Sequence, residues 1–481
     1  MSLSDNNLQK IDHFVVIMLE NRSFDHMLGF LYREQGNKSP LGHSFEGLTG
    51  NESNPDESGN EIKVFPISET EPEGYSMPKA DPDEGFIATN EQIYEKNKVV
   101  LKDKPTNKGF VNDFDYTLKW EKKLHWDVSD AKPSDIMGIY TPRMLPVLST
   151  LAKSYAVCDH WYGSVPTETL PNRAFALMAT SQGRLDDKCK VYTAPSIFKL
   201  LEKHNKSWAV YGYTKVPLTR GSIVDITYSS NEHFGEFEDF QNAVAKEKLA
   251  NFVFLEPSWG PKGNSQHPQS DDVSRGEKFL YDIYNTLYNS KLWEKTLLII
   301  TYDEHGGCYD HVAPPENATP PDNCAGMYGF CFTRFGPRVP TILVSPWIQS
   351  GTVFRAHNTD DYAVQTPFDH TSILATLEKR FGMQPLTARD AAAPHLGDVL
   401  TLNDPRKDNP MENITPPVRP PSDQCECKPT HLQQVLSELF SDIFASKNKE
   451  EGYRHIMPNF STGNEIESYI HKIYERCFEG K

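Results

Sequence analysis

Short apolar segments rich in β-branched and aromatic residues alternate with amphipathic helical patterns along most of this 481-residue chain. The apolar segments lack clean alternation with polar residues, as expected for strands buried on both faces of a mainly parallel sheet. Strands are predicted at residues 12–19, 155–157, 208–213, 252–255, 296–302 and 339–344, and helices at residues 142–154, 174–180, 276–292 and 371–381. The alternation predicts an α/β fold with helices on both faces of the central sheet.

Three regions fall outside this alternation. Residues 36–126 and 313–332 are rich in Pro, Gly, Asn and acidic residues, which predicts loops or lids over one edge of the sheet. After residue 388 a Pro-rich linker containing PPVRPPSD precedes amphipathic segments at 432–444 and 465–478. We therefore predict a catalytic domain at 1–388, with its insertion at 36–126, and a helical appendage at 389–481. The sequence leaves three alternatives for the appendage helices. They could pack on the catalytic domain, bind a partner chain or rest on a membrane.

The bulk composition excludes some classes of protein. A net charge of −17 argues against binding of nucleic acid, which needs clustered Lys and Arg. The apolar runs are too short to cross a bilayer. The first residues show no secretory signal, so cytoplasmic residence is the default expectation, with secretion lacking a cleaved signal left open. Eight irregularly spaced Cys predict no disulfide framework, and Cys425 and Cys427 are interpreted as free thiols rather than metal ligands.

The first motif, ENRSFDHMLG, follows a predicted buried strand. Glu20 and Asn21 stand just beyond the strand's carboxyl end, where functional groups collect in open α/β sheets. Ser23 is placed to cap the helix that begins at Phe24. Asp25 is interpreted as a partner of that helix dipole at least as readily as a catalytic acid.

The second motif, TYDEHGG, ends another predicted strand in two adjacent carboxylates, Asp303 and Glu304. Like charges at one strand end repel, and a divalent cation holds such groups together in their ionised forms. With Glu20 and Asn21 they form a hard oxygen set that suits one Mg²⁺, Ca²⁺ or Mn²⁺ ion and is less diagnostic of Zn²⁺. A second ion would need further ligands, and ordinary structural roles are favoured for the available histidines, which are His13, His160, His305 and His311.

The third motif, VPTETLPNR, contains a candidate nucleophile. Pro171 suits the first turn of a helix, so Thr169 is predicted at a helix N-terminus, where free backbone N–H groups favour a phosphoryl group. Its hydroxyl would be activated by coordination to a metal. Arg173 is predicted either to hold phosphate oxygens or to form a structural salt bridge.

Together, these three motifs resemble the phosphoesterase family of non-specific phospholipases C and related acid phosphatases, over about residues 11–381. The resemblance implies an alkaline-phosphatase-like fold. It also implies that Glu20, Asn21, Asp303 and Glu304 bind one metal ion, that Thr169 is both nucleophile and metal ligand, and that His267 protonates the leaving group. This chain has DPDEGF where the family's lipases often have DPGHSF, and HPQSDD where they often have HPSHD. Glu84 therefore stands near an expected substrate-binding histidine, and a second histidine is missing.

The resemblance predicts a phosphoric ester hydrolase with a phosphothreonine intermediate. The favoured substrate is a glycerophospholipid such as phosphatidylcholine, cleaved to diacylglycerol and phosphocholine, with peripheral membrane contact left open. The alternatives are an acid phosphatase acting on small phosphomonoesters and, from a different class, a metal-stabilised binding protein without turnover. The sequence does not set the oligomeric state.

Overall fold

The structure is a computed structural model of the chain. It describes residues 7–70, 74–99, 103–124, 128–188, 190–213, 216–259, 263–268, 272–356, 366–418, 431–447 and 458–479. Cys425, Cys427 and most of the PPVRPPSD linker lie outside the described residues.

An eight-stranded sheet forms the centre of the described structure. Its strands, in chain order, are β1 His13–Leu19, β2 Ala156–Cys158, β3 Trp208–Gly212, β4 Phe234–Glu236, β5 Phe252–Glu256, β6 Thr296–Tyr302, β7 Thr341–Val344 and β8 Thr352–Phe354. Their spatial order is β8-β2-β7-β6-β1-β5-β3-β4. Neighbouring strands are parallel except at β7, which runs antiparallel to both β6 and β2. The predicted mainly parallel sheet is confirmed, and β4 and β8 are strands that the sequence analysis did not identify.

Strand β1 lies at the middle of the sheet between β5 and β6 and is parallel to both. Its residues from Phe14 onward are buried, as are all residues of β5 and β6. Burial on both faces explains why these strands are continuous apolar runs. Because the three strands run in the same direction, their carboxyl ends meet at one edge of the sheet, and the residues that follow them lie there.

The helices lie between and beyond the strands. They are α1 Phe24–Leu28, α2 Phe86–Tyr94, α3 Phe110–Lys123, α4 Pro146–Ser154, α5 Thr169–Met178, α6 Ile197–Lys203, α7 Leu218–Ser222, α8 Val224–Thr227, α9 Phe237–Ala245, α10 Val273–Tyr288, α11 Thr371–Phe381, α12 Ala388–Ala392, α13 His431–Lys447 and α14 Gly463–Tyr474. The four predicted helices of the main domain are present, although α5 begins five residues before its predicted start of 174. It ends at Ala179, whose left-handed backbone (φ 57°) closes the last turn.

The insertion at 36–126 is more structured than predicted. It contains α2, α3 and a short antiparallel pair formed by Ser53–Pro55 and Glu61–Lys63. A hydrophobic cluster of its own includes Phe110, Phe114 and Leu118 of α3. Four apolar side chains of this region pack in or against hydrophobic clusters and do not line an open entrance. They are Phe65, Tyr75, Met77 and Phe86. Residues 313–332 contain one short 3₁₀ turn, Met327–Gly329, and are otherwise irregular, as predicted.

Helices α13 and α14 pack back on the main domain, which was one of the three predicted alternatives. Leu439 and Phe440 of α13 are buried in the main hydrophobic core. The guanidinium of Arg220 lies 4.1 Å from the ring centroid of Phe234 and 4.1 Å from that of Phe478. None of the described helices is both long and apolar enough to cross a membrane.

Candidate active site

The turns that follow β1 and β6 bring four polar side chains together. Leu19 of β1 pairs with Tyr302 of β6, so Glu20 and Asp303 are the first residues after the two neighbouring strands. The backbone N–H of Asn21 donates to Asp303 Oδ1 at 3.0 Å. Glu20, Asn21, Asp303 and Glu304 are all at most 1% exposed. The predicted convergence of the two motifs at one edge of the sheet is therefore observed.

A glycine makes this close approach of the two turns feasible. Gly306 has φ of +61°, and a Cβ atom at this position would lie 2.0 Å from the carbonyl oxygen of Asn21. Asn21 itself has φ of 52°, a left-handed conformation that asparagine tolerates better than most residues. The Gly-Gly pair of the TYDEHGG motif thus has a steric role in the site.

Thr169 is the first residue of α5 and points toward this cluster. Its Oγ1 lies 3.3 Å from Asn21 Oδ1 and 3.5 Å from Glu20 Oε2. The next N–H of the helix, that of Leu170, donates to Asp187 Oδ1 at 2.9 Å. One of the N–H groups that the sequence analysis expected to be free for a phosphoryl group is thus occupied.

His267 lies on the other side of the Asn21 amide. Its Nε2 is 3.2 Å from Asn21 Nδ2, and its Nδ1 is 2.9 Å from the carbonyl oxygen of Pro268. The carboxylate of Asp81 is 3.6 Å from Nδ1. The oxygen end of the Asn21 amide therefore faces the candidate nucleophile, and its nitrogen end faces the candidate acid.

Glu84 also reaches the cluster, with Oε1 3.5 Å from Asn21 Nδ2. Burial raises the pKa of its carboxyl well above the usual value, and the nearby carboxylates of Asp81 and Glu304 raise this pKa further. Where the family often has a histidine, this chain thus has the carboxyl group of Glu84, close to the carboxylates of Asp81 and Glu304.

Arg173, one turn into α5, forms the salt bridges that were the structural alternative in the sequence analysis. Its Nε donates to Asp303 Oδ2 at 3.1 Å, and its Nη2 pairs with Glu20 and donates to the carbonyl oxygen of Met18 at 3.1 Å. Its Nη1 has no hydrogen-bond partner among the described residues. In this structure Arg173 holds the acidic residues, and its contact with a substrate phosphate stays a prediction.

The electrostatics of the cluster suit a divalent cation. Burial raises the pKa of Glu20, of Glu304 and of Asp303, the last to about 7, because each ionised carboxylate is removed from water. With all three carboxylates ionised, Arg173 would supply one positive charge against three negative ones, and a divalent cation would balance the remaining two. Glu304 Oε1 is buried without a hydrogen-bond partner in the described structure. The donor atoms are carboxylate, amide and hydroxyl oxygens, which fit a hard divalent ion.

Two residues at the site were not identified from the sequence. The indole N–H of Trp259 donates to Glu20 Oε1 at 2.9 Å. The Nε2 of His370 lies 2.6 Å from the backbone carbonyl of Asp303. Trp259 follows β5 closely, so its place at the carboxyl edge was a signal available in the sequence, whereas nothing in the sequence connects His370 with Asp303.

The four histidines considered for a second ion have other partners. His13 contacts Ala250 O, His160 contacts Asp159, His305 contacts Gln92 Oε1 and His311 contacts Asp25. Burial lowers the pKa of His305 to about 3. All four rings have hydrogen-bond partners within the protein, and the structural roles that the sequence analysis favoured for them stay a prediction.

A separate charged cluster lies beneath α1. Ligand-type atoms of Asp25, Asp310 and His311 lie within 4.8 Å of one another, a spacing that a metal ion tolerates. Arg338, however, donates to Asp25 Oδ1 and to Asp310 Oδ1, both at 2.9 Å. Asp25 is thus part of a buried ion-pair network, so its interpretation as a simple helix-dipole partner is incomplete. Ser23 caps α1 as predicted, by accepting a hydrogen bond from the N–H of His26.

Comparison with known proteins decides the family. A family model described as the phosphoesterase family matches residues 11–384 of the chain. The chain belongs to the phosphoesterase family. This confirms the resemblance inferred from the three motifs, and it makes this phosphoesterase a hydrolase of phosphate esters.

Several relatives are similar to this phosphoesterase over most of its length. Non-specific phospholipase C6 of Arabidopsis thaliana is 35% identical over 413 residues, which covers 82% of this chain and 74% of the relative. Non-specific phospholipase C1 of the same plant is 32% identical, covering 90% and 79%. Phospholipase C B of Mycobacterium tuberculosis is 27% identical, covering 85% and 82%. A solved structure of an alkaline phosphatase superfamily protein from Vibrio parahaemolyticus is 13% identical, with a TM-score of 0.32 over 52% of this chain and 64% of that one.

Proposed function

We propose that this phosphoesterase is a metal-dependent phospholipase C that cleaves glycerophospholipids such as phosphatidylcholine through a covalent intermediate on Thr169. The observation that carries the proposal is the position of Asn21, whose amide oxygen lies 3.3 Å from Thr169 Oγ1 while its nitrogen lies 3.2 Å from His267 Nε2. A nucleophile and an acid–base group thus lie on two sides of one buried residue, next to three carboxylates.

Glu20, Asn21, Thr169, Asp303 and Glu304 would hold the metal ion. When bound, such an ion lowers the pKa of a coordinated hydroxyl and polarises phosphoryl oxygens. Its charge would also balance the two negative charges that remain beside Arg173 when all three carboxylates are ionised. Whether the ion is Ca²⁺, Mg²⁺, Mn²⁺ or Zn²⁺ is a matter for measurement, with the all-oxygen set favouring the first three.

The residues support a two-step displacement. In the first step Thr169 Oγ1 gives its proton to Glu20 Oε2, 3.5 Å away, and forms a bond to phosphorus, while the bond from phosphorus to the glycerol oxygen breaks and His267 Nε2 gives its proton to that oxygen to release diacylglycerol. In the second step His267 takes a proton from water, whose oxygen attacks phosphorus, the bond from phosphorus to Thr169 Oγ1 breaks, and Glu20 returns the proton to Oγ1 as phosphocholine leaves. One group serves as acid and then as base, as two successive displacements require. The carbonyl oxygen of Pro268, 2.9 Å from Nδ1, orients the ring for this role.

The charges near the site support a phosphocholine ester over a phosphomonoester. The carboxylates of Asp81, Asp83 and Glu168 lie near enough to Glu84 to raise the pKa of that residue. A dianionic monoester would meet repulsion from these groups, whereas a choline ammonium would be attracted to them. The similarity to relatives named phospholipase C supports the same choice.

The test measures diacylglycerol release from phosphatidylcholine and p-nitrophenol release from its phosphate monoester, each with and without a chelator. Wild-type protein is expected to release chelator-sensitive diacylglycerol, and Thr169→Ala is expected to lose at least about a thousandfold in rate. The matched control, Thr180→Ala, removes a hydroxyl just beyond the other end of α5. Monoester turnover alone would replace the lipase with an acid phosphatase, and metal binding without turnover of either substrate would leave a binding protein.

A further inference from the structure

Helix α3 of the insertion exposes an apolar face to solvent. Tyr116, Trp120 and Leu124 follow one another at four-residue spacing, so they lie along one side of the helix and its C-terminal end. They are 65%, 52% and 45% exposed. The opposite side of the helix carries Phe114 and Leu118, which are buried in the insertion's own core. The exposed aromatic residues are therefore not needed for the packing of this region.

Positive charge lies beside this face, although the chain as a whole is acidic. At about 3.6 residues per turn, Lys119 and Lys123 flank Tyr116 and Trp120, whereas Lys122 is exposed on another side of the helix. Lys119 pairs with Glu57 and Asp115. For Lys123 no acidic partner lies within salt-bridge distance in the described part of the chain. A lysine without such a partner next to Trp and Tyr side chains complements the phosphates of a lipid surface.

Helix α3 lies next to the active site. Gln92 of α2 contacts His305, which follows the carboxylate Glu304, at 2.7 Å, and it donates to Asp113 of α3 at 2.8 Å. Further along α3, Glu121 is buried, and the carboxylate of Asp81 contributes to raising its pKa to about 7. Asp81 is the residue that lies 3.6 Å from His267. The first turn of α3 is thus linked through Gln92 to the turn that carries Glu304.

We propose that the face formed by Tyr116, Trp120 and Leu124, with Lys123 beside it, docks this phosphoesterase on a phospholipid membrane surface. The inference rests on the proposed function, because docking would place the active site close to lipid headgroups. Tyr and Trp are well suited to this task, since their rings prefer the boundary between headgroups and acyl chains. Lys123 adds attraction to anionic lipids in the same surface.

The test compares two double variants of the full-length protein. Tyr116→Ser/Trp120→Ser removes the aromatic face. Val224→Ser/Tyr228→Ser is the matched control, because this pair has the same spacing and is 43% and 62% exposed elsewhere on the molecule. Binding is measured by co-sedimentation with vesicles of phosphatidylcholine, with and without phosphatidylserine, and turnover is measured on those vesicles and on short-chain phosphatidylcholine below its micelle concentration.

The aromatic variant is expected to lose about tenfold in vesicle binding and vesicle turnover, with short-chain turnover within about twofold of wild type and unfolding unchanged. The control variant is expected to match wild type in every assay. Lys123→Glu should weaken binding only to vesicles that contain phosphatidylserine. Unchanged vesicle binding by the aromatic variant would overturn the docking proposal. An equal loss of turnover on vesicles and on short-chain lipid would also overturn it, as would a variant that loses self-association while it still binds vesicles. Vesicle binding by a wild-type protein that turns over no lipid would retain the docking face and reject the lipase.

Discussion

At the scale of single residues, the site depends on side chains that hold the candidate metal ligands as much as on the ligands themselves. Glu20 accepts hydrogen bonds from Trp259 and Arg173, and Asp303 accepts from Arg173 and from the backbone of Asn21. These contacts orient the carboxylates before an ion arrives. Residues that orient metal ligands affect ion affinity without touching the ion.

Trp259→Phe is expected to weaken binding of a divalent ion by about 10- to 100-fold, because it removes the N–H that orients Glu20 while keeping an aromatic ring. Calorimetric titration of the ion checks this. Trp347→Phe is the control, since the Trp347 N–H donates to the carbonyl oxygen of Glu294. Equal affinities for both variants and wild type would show that Trp259 does not orient Glu20.

The ion pair between His311 and Asp25 predicts a pH dependence of stability. The nearby Asp25 carboxylate raises the pKa of His311 to about 10 although burial opposes the shift. A histidine with a raised pKa in the folded state stabilises the protein fully below its unfolded value of 6.5, and this contribution is lost as the pH rises through about 10. The difference in unfolding free energy between wild type and His311→Gln should therefore be largest near pH 6 and shrink toward pH 10 in urea titrations. A difference that grows with pH would contradict this assignment.

At the scale of secondary-structure elements, the strands and the site were largely predictable, and the helical insertion was not. β1 and β6 are predictable because they are continuous apolar runs that end in carboxylates. The apolar pattern placed the start of α5 at residue 174, five residues too late, whereas Pro171 in the VPTETLPNR motif placed it beside Thr169, where the helix begins. Helices α2 and α3 contain no Pro or Gly, but they were missed because the segments that precede them, DPDEG and KPTNKG, made the whole region look like a loop. The contact between His370 and Asp303 spans 67 residues, and no local pattern encodes it.

The tight approach of the two turns makes Gly306 sensitive to substitution. Gly306→Ala is expected to reduce both stability and turnover, because its Cβ would lie 2.0 Å from the backbone oxygen of Asn21 and its φ is positive. Gly382→Ala is the control, with a φ of +66° and no atom within 4 Å of its Cβ, so it should show only the backbone cost of about 1–2 kcal/mol. Thermal unfolding and kcat/KM of the two variants provide the comparison. Similar losses for both would mean that backbone strain alone explains the effect.

At the scale of the whole molecule, the C-terminal helices are joined to the main domain by burial of their apolar residues in the main hydrophobic core, and polar and aromatic contacts add to this burial. Arg220 lies between Phe234 and Phe478 and donates to the Tyr474 hydroxyl at 3.1 Å. Lys190 pairs with Glu438 of α13. The small cavity between Trp259 and these helices is lined by Leu436 and Ile470. The C-terminal helices thus lie close to Trp259, whose indole N–H donates to Glu20.

Arg220→Ala is expected to lower the unfolding free energy by about 2–4 kcal/mol and to expose α14 to proteolysis, because a buried cation loses its ring contacts and hydrogen bonds while its partners remain. Limited proteolysis with mass analysis of the fragments measures this. Arg143→Ala removes a guanidinium that is 84% exposed, so it should leave the cleavage pattern unchanged. Identical patterns for the two variants would show that Arg220 does not hold the helices.

The central claim, that Thr169 carries the covalent intermediate, is tested most directly by trapping that intermediate. His267→Ala is predicted to slow the release step more than the attack step, because it lacks the base that activates water. Intact-mass spectrometry after mixing this variant with phosphatidylcholine and the required metal should show a mass increase equal to one phosphocholine group. Peptide mapping should place the group on Thr169, and His267→Ala/Thr169→Ala should show no increase. A persistent adduct on another residue, or turnover by Thr169→Ala at the wild-type rate, would contradict the account.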